Sequence, residues 1–318
     1  MRRMSMLMLA AGLALPLCQI ASAQPEGHGA DRCDRHCLLQ VLWDYTEALT
    51  DDKPSEVPAA PNVRVTSNGR VVELGHGEVW GTPRRIPYRQ ALVDPATGAA
   101  IFYGVVTDDI QPRRSGAISA PATRSSSDGT APDTWWFYVL RLKVENRRVS
   151  EVEEVAYAGS SMGANAKALS LPDRLFDTLL PEDERSSRQQ LMRIANEYFD
   201  AVSGTLNYRK VPWHPDCQRV ELGVFTVNAA TSAGSCGGEF QNPSVRWNVV
   251  NRRFYIVDVE RGLVLAIANF MTPADLPHNN GSVVFELFKI QDGLIRQIQA
   301  FFRGNGQLHS GWGSGPGS

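Results

Sequence analysis

The chain has 318 residues, 43% hydrophobic and 21% charged, with 27 Gly and 19 Pro, a composition that suits a globular protein of one or two domains and excludes a disordered or fibrous one. Its formal net charge is −2, from 32 basic and 34 acidic residues. So even a balance argues against nucleic acid, whose binding proteins usually carry a basic face.

At the start, Arg2 and Arg3 precede the apolar run "MLMLAAGLALPL", and Ala21-Ser22-Ala23 follows with the small residues of a cleavage site. This pattern predicts a secretory signal peptide over residues 1–23, cleavage after Ala23 and a secreted or periplasmic protein. Losing two arginines takes the net charge from −2 to −4. No later stretch has the ~20 unbroken apolar residues of a membrane span. Cys18 leaves with the signal, so Cys33, Cys37, Cys217 and Cys236 remain. In an exported protein they read as two disulfides with three possible connectivities. The preferred pairing is Cys33 with Cys37 and Cys217 with Cys236, because each pair lies within one half of the chain. The zinc alternative lacks a second matching pair or a nearby His doublet, and the histidines are too dispersed to imply a metal.

The two halves then repeat one another. Leu38, Val41, Leu42, Tyr45 and Leu49 share one helical face, and Leu191, Ile194, Ala195, Tyr198 and Val202 share another with the same spacing. Asp34 is the expected cap of the first helix, and Ser186 with Gln189 that of the second. "VELG" occurs at residues 72–75 and again at 220–223. "LVDPATGAAIFYGVV" is answered by "IVDVERGLVLAIANF", which matches Asp94 with Asp258 and Gly98 with Gly262. "LRLKVENRRVSEVEEV" is answered by "LFKIQDGLIRQIQAFF", with hairpin turns near Asn146 and Gly293. A helix followed by several antiparallel strands, twice over, predicts an α+β fold.

The phrases "CDRHCLLQVLWDYTEAL", "LGHGEVWGT", "PDCQRVELGV", "SCGGEF", "VDVERGLVLAIANF" and "ELFKIQDGLIRQIQAFF" resemble a tandem pair of NTF2-like modules of the SnoaL-like branch, as in secreted fungal and bacterial proteins of unassigned function. The resemblance implies two cones, each with N-terminal helices packed on a curved antiparallel sheet around a ligand cavity, joined as a pseudo-dimer within one chain. The modules are expected at 31–157 and 186–304, with a linker at 158–185 and a flexible tail at 305–318. The implied chemistry is cofactor-free proton transfer, by a lyase or isomerase, on a small molecule that is aromatic or polyketide-like. The partners expected are that molecule and, intramolecularly, the other module.

Such chemistry needs a base tuned near the working pH and a donor opposite it. In the first half His76 is the natural proton carrier, with Trp80 as a stacking wall and Tyr45 and Tyr103 lining the site. The alternative for His76 is a turn residue packed on Trp80. In the second half "WHPDCQRVELG" gathers His214, Asp216, Arg219 and Glu221. Alternation puts Arg219 and Glu221 on one strand face. Facing inward, Arg219 would hold a carboxylate or enolate while Asp216 or Glu221 moves a proton; facing outward, they make a solvated ion pair. Tyr198 joins the binding set, although Tyr45 and Tyr198 also read as core residues whose hydroxyls find partners.

Two other functions compete. One is a non-catalytic exported protein that binds small molecules. The other is a serine hydrolase through Ser161 in Gly159-Ser160-Ser161-Met162-Gly163, with Asp216 and His278 in the right order. That motif falls at the seam between repeats, in a stretch that reads as a linker.

Overall fold

In the computed structural model the described residues are 33–82, 84–108, 134–158, 175–227, 236–237, 247–272, 280–307 and 312. Residues 31–318 form one compact unit. Helix α1 (Arg35–Thr50) leads into strands β1 (Ala59–Ser67), β2 (Arg70–Val72), β3 (Arg85–Asp94), β4 (Ala99–Thr107), β5 (Trp135–Glu145) and β6 (Arg148–Tyr157). Helix α2 (Arg188–Val202) leads into β7 (Trp213–Glu221), β8 (Val224–Val227), β9 (Asn248–Asp258), β10 (Leu263–Met271), β11 (Asn280–Gln291) and β12 (Leu294–Gln307).

The strands make two six-stranded sheets in tandem, ordered β2-β1-β6-β5-β4-β3 and β8-β7-β12-β11-β10-β9. In each, one parallel pair, β1 with β6 and β7 with β12, interrupts an otherwise antiparallel ladder. The helices start where their caps dictate. Asp34 accepts a bond from the Cys37 amide, and a reciprocal capping box joins Ser187 to Gln190, one residue beyond the expected Ser186 and Gln189.

The expected α+β fold, two cones each with N-terminal helices packed on its sheet, is corrected here. The described residues are mostly strand, and among them a single α-helix precedes each sheet. The physical reason is two-sided burial. One face of each sheet packs on its helix, through Leu42 and Phe102 in the first half and Phe199 and Phe288 in the second. A third core joins the opposite faces, with Tyr103, Phe137, Ile267, Phe285 and Phe301 at its centre. Strands β4 and β10 are consequently buried at every residue, which is why they read as near-continuous apolar runs.

Polar ties cross between the halves. Arg188, first residue of α2, pairs with Asp94 at 2.7 Å, while Arg35, first residue of α1, pairs with Asp258 at 3.0 Å. Asp94 also accepts the Val257 amide. Cys33 is bonded to Cys37 and Cys217 to Cys236, which fits an oxidising compartment. No helix among the described residues is long and apolar enough to cross a membrane.

Candidate functional site

Each helix delivers one tyrosine from its buried stripe to a carboxyl buried under the sheet. In the first half the Tyr45 hydroxyl, the Trp80 indole N–H and the Tyr138 hydroxyl all donate to Glu154 Oε1, at 2.8, 2.9 and 2.9 Å. Burial pushes the Glu154 carboxyl above its ordinary range, although these three bonds pull the other way. Gly77 closes over the second oxygen so tightly that a Cβ there would stand 1.9 Å from Oε2. Three donors thus hold one oxygen, while Oε2 is buried with no hydrogen-bond partner among the described residues.

The second half builds the arrangement differently. The Tyr198 hydroxyl donates to Glu286 Oε1 at 2.5 Å. Glu286 Oε2 is buried with no hydrogen-bond partner among the described residues. Arg219 lies over the Tyr198 ring, 5.8 Å from its centroid, and its Nη2 is 2.6 Å from Glu221 Oε1. Burial pushes the Glu286 carboxyl up to about 7, opposed by the Arg219 charge and the Tyr198 bond and aided by Glu221. Burial also holds the Tyr198 hydroxyl well above its ordinary value, so it remains a donor. Trp213 and Phe288 flank that ring edge-on.

Both acids occupy corresponding rungs of their sheets, on opposite sides. Glu154 on β6 stands across from Leu140 on β5, whereas Glu286 on β11 stands across from Ala300 on β12. Ser67 on β1 sits beside Glu154, and Glu221 on β7 sits beside Ala300. The second half thus has a small alanine where the first has its acid, and an arginine–glutamate pair on the neighbouring strand.

The residues singled out from sequence are dispersed. Tyr45 and Trp80 meet at Glu154; Tyr198, Arg219 and Glu221 meet near Glu286. His76 is exposed on a turn, with Nδ1 4.0 Å from Glu73. Asp216 is exposed, and its amide donates to His214 Nδ1 at the start of β7. Tyr103 lies between the sheets and donates to the Gln299 carbonyl at 2.9 Å. Ser161 and His278 lie outside the described residues. Among the described residues, no three His, Cys, Asp or Glu side chains converge to hold a metal ion.

The acids at the centre of both clusters were not singled out from sequence, yet each leaves a signal. Glu154 falls in phase with Val152 and Ala156, and Glu286 with Val284 and Phe288. A charge in phase with a buried apolar face is the mark of a buried ionisable group.

Comparison with known proteins adds little chemistry. A domain of unknown function (DUF8021) matches residues 184–302. No curated protein matches the chain. Among solved structures, a proposed ketosteroid isomerase from Kribbella flavida DSM 17836 is 15% identical, with a TM-score of 0.29, over 36% of this chain and 78% of its own. AclR, a proposed hydroxylase from Streptomyces galilaeus, is 12% identical, with a TM-score of 0.27, over 47% of this chain and 91% of its own. At TM-scores this low we rest nothing on either likeness.

Proposed function

We propose that the second half carries a cofactor-free proton-transfer site, with Glu286 as the group that takes and returns the proton, in an isomerase or lyase acting on a small molecule. The observation behind this reading is the state of the Glu286 carboxyl. Its ordinary value of 4.5 is raised to about 7, one oxygen is held by Tyr198 and the other has no hydrogen-bond partner among the described residues. A carboxyl balanced near neutrality both accepts and donates a proton with little driving force lost. The Arg219 guanidinium, in a site of low dielectric, offsets negative charge that develops on a substrate oxygen once a C–H proton has left. Glu221 holds that guanidinium in place. In an isomerisation the proton taken from one carbon returns at another, so nothing is consumed. His76 and Asp216, both exposed, have no role in this reading.

The test uses the mature protein in catalytic amount, in heavy water, with a small-molecule extract of the producing cells. Deuterium appearing in a compound present in large molar excess is expected. Glu286→Gln should lower that incorporation at least about a hundredfold, the lower range for losing a general base, while Glu154→Gln should leave it near the original rate. Equal incorporation in the Glu286→Gln variant would remove Glu286 from the chemistry.

A second reading is an exported binding protein without catalysis. Full enclosure of Glu286 and Tyr198 favours it, because a sealed acid also serves to specify a core. Stoichiometric retention of an extract compound, with no deuterium incorporated, is the outcome that would select it.

A further inference from the structure

The two helices begin alike and are held differently. Arg35, first residue of α1, reaches Asp258 at 3.0 Å and Glu260 at 3.6 Å in the second half, while Arg188, first residue of α2, reaches Asp94 at 2.7 Å in the first. Behind Arg188 stands a capping box made of hydrogen bonds alone, between Ser187 and Gln190. Behind Arg35 the Asp34 cap is closed over by a covalent link, the Cys33–Cys37 disulfide. Cys33 precedes the cap, Cys37 donates its amide to the Asp34 side chain, and both cysteines pack with Leu38 and Leu42 in the core beneath α1. Arg35 thus lies inside a small closed loop that is pinned at both ends.

Of the two disulfides, this is the one whose loss the fold tolerates better. Its cysteines are 4 apart in sequence, and those of Cys217–Cys236 are 19 apart. The freedom returned to the unfolded chain on reduction grows as the three-halves power of loop length, so opening the short bridge weakens folding about tenfold less than opening the long one. Reagents also reach it more readily: Cys33 and Cys37 are 7% and 6% exposed, against 3% and 0% for Cys217 and Cys236.

We propose that the Cys33–Cys37 disulfide is a redox-sensitive tie between the halves, opened by dithiols, and that its opening loosens Arg35 from Asp258 while the Arg188–Asp94 tie stays closed. One thiolate of the dithiol attacks a sulfur of the bridge and displaces the other as a thiolate, and the second thiol of the reagent then attacks the mixed disulfide. Two electrons and two protons pass to the protein, so that Cys33 and Cys37 end as thiols and the reagent ends as its own disulfide. The first turn of α1 then keeps only its Asp34 cap and opens locally more often. A half-buried guanidinium carried on a fraying turn gives up most of its ion pair.

Graded dithiothreitol on the native mature protein, followed by alkylation and mass spectrometry, should label Cys33 and Cys37 under conditions that leave Cys217 and Cys236 bridged. In that partly reduced protein, exchange of the Leu38 amide, which bonds the Asp34 carbonyl, should quicken at least about tenfold. Its counterpart in α2, the Leu191 amide on the Ser187 carbonyl, should not change. Arg35→Ala should shift the unfolding equilibrium of the oxidised protein about threefold, and that of the partly reduced protein hardly at all. The double variant Cys33→Ser, Cys37→Ser needs no reductant and should reproduce the partly reduced protein in both measurements. Labelling of all four cysteines together, unchanged Leu38 exchange, or an Arg35→Ala effect of equal size in both redox states would overturn the proposal.

Discussion

At the scale of single residues, Glu286 makes its own energetic prediction, separate from any reaction. A carboxyl raised from 4.5 to about 7 on folding means that the native state binds more protons than the unfolded chain between those values, so this contribution to stability is complete below about pH 4.5 and is lost as pH rises through about 7. The loss is about 3 kcal/mol at most. Glu154, also raised by burial, acts with the same sign. Glu153 acts oppositely: burial raises it, but Arg253 and Arg141 pull harder and leave it below its ordinary value. Glu286→Gln, which keeps the shape and an acceptor for Tyr198, should match the original protein in thermal unfolding near pH 5 and exceed it near pH 8. A fixed difference at both pH values would mean that Glu286 does not change protonation on folding. These acids were within reach of the sequence, because each breaks the apolar phase of its strand. The histidines drew attention first for their intrinsic titration near neutrality, and burial, which moves a glutamate to the same range, does not show in residue type alone.

At the scale of elements, the helix stripes and the Asp94 and Asp258 hairpins were plain in the sequence, and the four-letter repeat was misleading. The first "VELG" begins in β2 and runs into the loop beyond it, while the second ends β7 and enters its hairpin. Their turns tell the same story. Asn68 and Gly69 have positive φ between β1 and β2, as Leu222 and Gly223 do between β7 and β8. The residue beside the buried acid's rung is therefore Ser67 in one sheet and Glu221 in the other, an exchange that spelling conceals. Gly98 and Gly262, by contrast, do correspond: each has positive φ, and each carbonyl accepts the amide of Val144 or Ile290. A Cβ at Gly262 would stand 2.0 Å from the Ile290 carbonyl oxygen. Gly262→Ala should therefore cost about 2 kcal/mol or more in denaturant unfolding. A loss below about 0.5 kcal/mol would mean that the β9–β10 turn relaxes freely.

At the scale of the whole molecule, the core between the sheets decides how the halves behave. Phe301 stacks on Tyr103 with centroids 4.1 Å apart and meets Phe137 edge-on at 4.8 Å. The arginine–aspartate pairs at Asp94 and Asp258 cross the same boundary. Two modules paired within one chain were expected because the repeat was visible along it, whereas the residues that join them are identified only once both sheets are folded and their inner faces meet. One cooperative calorimetric transition is expected for both halves, with equal calorimetric and van't Hoff enthalpies. Phe301→Ala should shift that transition by about 3–5 kcal/mol without splitting it; two transitions in the unaltered protein would mean that the halves fold independently. The central claim is that Glu286 exchanges a proton near neutrality inside a closed site. Infrared difference spectra across a pH titration test it most directly, by following the protonated carboxyl band of the original protein against Glu286→Gln. A band lost with a midpoint of about 7 in the original protein, and absent from the variant, is the predicted result. A carboxyl that ionises at its ordinary 4.5 would contradict the account.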